Sequence, residues 1–100
     1  MELSKQDIIT FILEKKESFS DQFNIEKIGL FGSFAEGKAT EESDIDLMVD
    51  FKEGTKGLFE KKSAIKDLFE SKFNRKIDIA GSKYLKPHFR EYILKQTIYV

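Results

Sequence analysis

Apolar positions along this chain recur in two rhythms, one of helices and one of strands. Ile8, Ile9, Phe11, Ile12 and Leu13 make a broad apolar face that Phe19 and Phe23 continue, the spacing of an amphipathic helix that breaks near Asn24. Ser4 stands where its hydroxyl can cap that helix, and Asp7, three positions on, outlines a capping box and favours the helix dipole. Leu58, Phe59, Ile65, Leu68, Phe69 and Phe73 repeat the helical spacing and predict a second helix of about four turns, ending near Asn74. Both stripes read as core-facing.

Elsewhere the period drops to two. Ile45, Leu47, Val49 and Phe51 alternate with Asp44, Asp46, Met48 and Asp50, the pattern of a strand with one buried and one open face. Ile28-Gly29-Leu30-Phe31 is a short apolar run stopped by Gly32, a buried strand that delivers Ser33 to its carboxyl end. Lys76-Ile77-Asp78-Ile79-Ala80 alternates again, with the isoleucines inward and Asp78 opposite. Gly37–Ser43 and Lys52–Gly57 are loops, Gly81 and Ser82 turn the chain, and Pro87 fits the first turn of a last helix carrying Phe89, Tyr92, Ile93 and Leu94. Thr97–Val100 is β-prone and suits an edge strand. The order is that of an α/β chain. Its strand–helix–strand unit closes most easily as a right-handed crossover that sets residues 76–80 beside 44–51, with Asp78 next to the Asp44/Asp46 pair on the open face.

Length and composition narrow the classes. One hundred residues suffice for one core and one domain, 1–100, and leave no chain for a separate substrate domain. A hydrophobic content of 40% with a single proline describes an ordered chain rather than a disordered one. Cysteine is absent, which excludes disulfides, thiolate metal sites and Cys nucleophiles. No cationic-then-apolar leader precedes the first helix and no apolar run is long enough to span a bilayer, so a soluble, cytoplasmic protein without membrane contact is expected. The net charge of −1 hides an asymmetry: residues 1–60 carry 14 Asp/Glu against 7 Lys/Arg, whereas residues 61–100 carry 4 against 10. A net charge that is not basic argues against direct nucleic-acid binding.

The candidate chemistry lies in residues 30–51. Asp44 and Asp46 point the same way from their strand, and two carboxylates that close raise one another's pKa unless a cation lies between them. Oxygen-only ligands suit a hard divalent ion such as Mg²⁺, which keeps several waters and is completed by substrate phosphates. Upstream, Gly32 allows close approach of backbone to an anion and Ser33 offers a hydroxyl beside it. His88, the single histidine, has no accompanying ligand or base-orienting pattern and reads as a surface or capping residue.

A strand ending in Gly32-Ser33, a ten-residue spacer, then Ser43-Asp44-Ile45-Asp46-Leu47 opening an alternating strand resembles the signature of the nucleotidyltransferase superfamily that includes DNA polymerase β. The run from Gly32 to Ala39 narrows the resemblance to the minimal nucleotidyltransferases, many of them encoded beside a HEPN-domain partner as toxin–antitoxin pairs. The resemblance implies the nucleotidyltransferase fold, a small mixed β-sheet with helices packed on one face. It implies two Mg²⁺ ions held by Asp44 and Asp46, with Asp78 completing the ion that serves the acceptor, and Gly32 and Ser33 gripping the phosphates of a nucleoside triphosphate. It further implies transfer of AMP from ATP to a hydroxyl of a protein, the partner being a HEPN-type RNase toxin that the small transferase neutralises. Glu36 departs from the family, where that position is frequently Arg, so no phosphate role falls to it; Lys38 is the nearest cation. The competing reading is a non-catalytic antitoxin or adaptor that inhibits its partner by binding alone. Association that survives EDTA and tolerates Asp46→Asn would mark it.

Overall fold

The structure, a computed structural model, describes residues 2–100. Helix α1 (Lys5–Phe23) opens on the expected box: the Asp7 amide donates to Ser4 Oγ at 3.2 Å and the Ser4 amide to Asp7 Oδ2 at 2.9 Å. It ends on Asn24, whose left-handed backbone closes the last turn. Ser4→Ala is expected to lower stability by about 1 kcal/mol, or roughly 4–8 °C in melting temperature, without changing any activity; a thermal melt reads it.

Strand β1 (Ile25–Phe31) runs straight into a single helical turn, α2 (Gly32–Glu36). It begins earlier than its apolar run suggests. A bulge between Ile25 and Lys27 interrupts the ladder, leaving Glu26 and Lys27 both exposed, and this hides the strand's first half from a period-two reading. Then come β2 (Ile45–Phe51), α3 (Leu58–Phe73), β3 (Ile77–Ala80), a 3-10 turn (Ser82–Tyr84), α4 (Pro87–Gln96) and the short β4 (Ile98–Tyr99). The sheet order is β3-β2-β1-β4. β1 pairs antiparallel with β2 and β4, and β2 pairs parallel with β3, so the sheet is mixed and the predicted pairing of 76–80 with 44–51 is present.

One face of the sheet carries the core. Ile28, Leu30, Ile45, Leu47, Val49 and Ile77 meet Ile8, Ile12 and Phe19 of α1 and Ile65 and Phe69 of α3, all buried. Each such side chain contributes about 1.5–3 kcal/mol through removal from water. The phenylalanine stripes form the seam between the two helices: Phe11 meets Phe69 edge-on at 5.2 Å and Phe73 at 5.3 Å, and Phe19 stacks on Phe69 at 5.8 Å. Phe59, counted in the stripe by its spacing, instead lies 79% exposed at the first turn of α3, and Leu13 is also outside.

The opposite face is partly covered. Met48 is fully buried yet lies outside the main core, and its register partner is Gly29. A side chain at Gly29 would collide with the carbonyl of Ile98 and the methyl of Thr97, both 2.8 Å from where a Cβ would stand, so the C-terminal segment presses on this face. Helix α4 has no buried residue, and its Phe89 and Tyr92 are exposed. Among the described residues no helix is long and apolar enough to cross a membrane.

Candidate active site

The carboxyl end of β1 and the amino ends of β2 and β3 meet at one edge of the fold. Register does the assembling. Phe31 of β1 lies opposite Asp46 of β2, and Asp46 lies opposite Asp78 of β3. Asp44 precedes β2 by one residue, two from Asp46, so the strand's alternation sends both carboxylates to the same side. Asp44 and Asp46 are half-buried and Asp78 is exposed. The three candidate carboxylates of the sequence are therefore neighbours on one patch of sheet.

Their electrostatics centre on Asp46. Burial, then the charge of Asp78, then that of Asp44 push its carboxyl up from the usual 3.8 to about 6. Among the described residues no hydrogen bond or ion pair engages the carboxylates of Asp44, Asp46 or Asp78. A raised, uncompensated carboxylate between two others is the donor chemistry of a hard cation site. As the side chains stand, no group of three such ligands among the described residues is arranged to hold an ion. The backbone register brings the three donors to one patch, with the exposed Asp78 at its open side.

Gly32 is tied to this patch more tightly than its sequence context suggests. Its φ is +74°, in the left-handed region, and a Cβ placed there would stand 2.1 Å from Asp46 Oδ2. The anion that this glycine lets the backbone approach is thus Asp46 itself. Ser33 follows in the first turn of α2, half-buried, its hydroxyl in no hydrogen bond among the described residues. The turn is closed behind it by the Lys38 amide on the Ser33 carbonyl at 2.9 Å. Glu36 faces the other way: it accepts from Gln96 Nε2 and, at 3.5 Å, from Tyr92 Oη, fastening α2 to α4. Lys38 is exposed in the loop.

Two residues of the region have roles that sequence reasoning does not assign. Asp50, in phase with Asp44 and Asp46, sits at the far end of β2 and accepts from the Ser82 amide at 2.9 Å, so its role is to fix the 3-10 turn. Arg75, one of ten dispersed cations in the basic half, donates from Nη1 to the carbonyls of Thr40 at 3.1 Å and Ser43 at 2.9 Å. Its place between the helix cap Asn74 and β3 is visible in the sequence, but its carbonyl partners 32 and 35 residues upstream are not.

Comparison with known proteins agrees with this architecture. The family model described as Polymerase beta, Nucleotidyltransferase matches residues 14–100. The protein adenylyltransferase MntA of Thermococcus cleftensis is 29% identical over 98 residues, spanning 98% of this chain and 97% of that one. A Methanocaldococcus jannaschii protein named as a protein adenylyltransferase is 33% identical over 95 residues, spanning 94% and 95%. The solved structure of a minimal nucleotidyltransferase superposes with a TM-score of 0.78 at 28% identity, covering 97% of this chain and 96% of that one. A chain from a toxin–antitoxin crystal structure with AMP-PNP superposes with a TM-score of 0.64 at 18% identity, covering 97% and 72%, a likeness of fold alone.

Proposed function

The chain belongs to the polymerase beta nucleotidyltransferase family, and from that premise we propose that it transfers AMP from ATP to a hydroxyl of a protein acceptor, with Asp44, Asp46 and Asp78 as its catalytic carboxylates. The observation that carries this reading is the register pair Asp46–Asp78, with Asp44 two residues away and Gly32 pressed against the Asp46 carboxylate. Two of the relatives described above are named protein adenylyltransferases, which supports both the nucleotide and the acceptor class.

The reaction forms a bond from the acceptor oxygen to the α-phosphorus and breaks the bond to the bridging oxygen, releasing pyrophosphate. Little covalent work falls to the protein; its task is alignment and charge compensation. Divalent ions, two Mg²⁺ on the family pattern, would neutralise the phosphates and the developing charge when bound by Asp44, Asp46 and Asp78. Gly32 keeps space beside Asp46 that a side chain would fill, and Ser33 presents its hydroxyl to the phosphates at the start of α2. In this reading the exposed Asp78 would also accept the proton that the acceptor hydroxyl gives up.

The partner in this reading is a HEPN-type RNase toxin, modified and thereby silenced. Support comes from the fold shared with a chain of a toxin–antitoxin structure. The deciding experiment incubates the protein with ATP radiolabelled at the α-phosphate, Mg²⁺ and lysate of its native host. A protease-sensitive labelled band, absent with EDTA, is expected. Absence of label, with a partner that still co-purifies in EDTA, would favour inhibition by binding alone.

A further inference from the structure

Arg75 lies outside the carboxylate patch yet touches the segments that build it. The turn that delivers Asp44 closes on itself: the Ser43 amide donates to the Thr40 carbonyl at 3.2 Å, and the Thr40 amide donates to Ser43 Oγ at 2.8 Å. These bonds fix the turn's shape but not its position. Arg75 supplies the position, since one guanidinium nitrogen holds the carbonyls at both ends, Thr40 and Ser43, the latter in the peptide bond to Asp44. The same guanidinium lies over the ring of Phe34, 5.4 Å from its centroid, and Phe34 is the buried residue next to Ser33 in α2. One residue further along, the Lys76 carbonyl accepts from the Ile45 amide at 2.9 Å and starts the ladder that brings Asp78 beside Asp46.

Among the described residues Arg75 has no carboxylate partner within ion-pair distance, and its Nη1 donates to backbone carbonyls instead. A guanidinium that is planar, permanently charged and able to stack and donate together suits this arrangement; an ammonium is a compact point charge without a face. Groups that orient the ligands of a metal typically alter affinity or activity 10–100-fold when removed.

We infer that Arg75 is a positioning residue for nucleotidyl transfer, clamping the 40–43 turn to α2 so that Asp44 reaches the patch already occupied by Asp46 and Asp78. The inference rests on Asp44 acting as proposed above, and the test separates the two. Wild type, Arg75→Ala, Arg75→Lys and Asp44→Asn are compared for transfer as a function of Mg²⁺ concentration. Hydrogen exchange of the amides of residues 38–46 is measured in the same proteins without metal or nucleotide.

Arg75→Ala is expected to need about 10-fold more Mg²⁺ for half-maximal rate, with much of the rate recovered at saturation. Its amides at 43–45 should exchange faster while those of α1 and β1 keep wild-type protection. Arg75→Lys, which retains charge and bulk, should show the same change in smaller degree and serves if the alanine variant folds poorly. An unchanged Mg²⁺ dependence in both variants, or exchange accelerated equally across the fold, overturns the inference. An Asp44→Asn protein with wild-type transfer overturns the proposed carboxylate role instead, whatever Arg75 does.

Discussion

Replacing Asp46 with Asn is expected to abolish transfer, by at least about 100-fold, while making the metal-free protein more stable at neutral pH. The two effects have one source. Asp46 is half-buried between Asp44 and Asp78, and its carboxyl titrates near 6 rather than 3.8. A raised carboxyl pKa means that the folded state binds more protons than the unfolded state between those values, so this group's contribution to stability falls as pH rises from about 4 to about 6 and stays lost above. The shift alone corresponds to an upper limit of about 3 kcal/mol, but Asp46 retains substantial solvent contact and screening reduces this to roughly 1 kcal/mol. Thermal melts in EDTA at pH 4.5 and 7.5 should therefore show an unfavourable pH slope in wild type that Asp46→Asn lacks. Adding Mg²⁺ at pH 7.5 should raise the wild-type melting temperature and leave the variant's unchanged. A variant that melts lower than wild type in EDTA at pH 7.5 would mean that Asp46 has a stabilising partner and that repulsion is not its dominant interaction.

The second large effect belongs to Gly32. Gly32→Ala meets two obstacles: the left-handed backbone at φ +74°, which costs an alanine about 1–2 kcal/mol, and a methyl 2.1 Å from Asp46 Oδ2. Relief of the second requires the carboxylate or the strand end to move, and displacement of about 1 Å at a reacting centre costs about 100-fold in rate. Gly37 provides the control. Its φ is +73°, the same strain, but a side chain there meets nothing within 4 Å. Gly37→Ala should accordingly lose similar conformational free energy and keep most of its activity, whereas Gly32→Ala loses both. Equal activities in the two variants, measured by transfer of α-labelled phosphate well below their melting temperatures, would show that the crowding at Gly32 has no catalytic consequence.

The contrast between these glycines illustrates how far sequence reading reaches. Gly32 and Gly37 flank the same short helical turn and both adopt positive φ, and local sequence does not distinguish a glycine needed for a turn from one needed for contact with a residue 14 positions away. The bulge at Ile25–Lys27 was hidden for a related reason: an extra residue breaks the period on which strand recognition depends. Phe59, Phe89 and Tyr92 follow helical spacing yet lie outside, because the stripe describes only one helix and not whether a neighbour arrives to cover it.

The elements and the chemical inventory were legible in the chain: a capped first helix, the Phe-rich second, the alternating strands, three acidic positions and a Gly-Ser turn. These follow from local sterics and periodicity, which act over a few residues and are written in adjacent letters. The crossover implied that Asp78 lies near the pair, but its exact register opposite Asp46, the closeness of Gly32 to that carboxylate, the use of Asp50 in a turn and the Arg75 clamp on the loop before Asp44 came from the folded chain. Each depends on strand register or on contacts more than a dozen residues apart. A one-residue slip would turn every side chain of β3 to the other face without altering a single local preference.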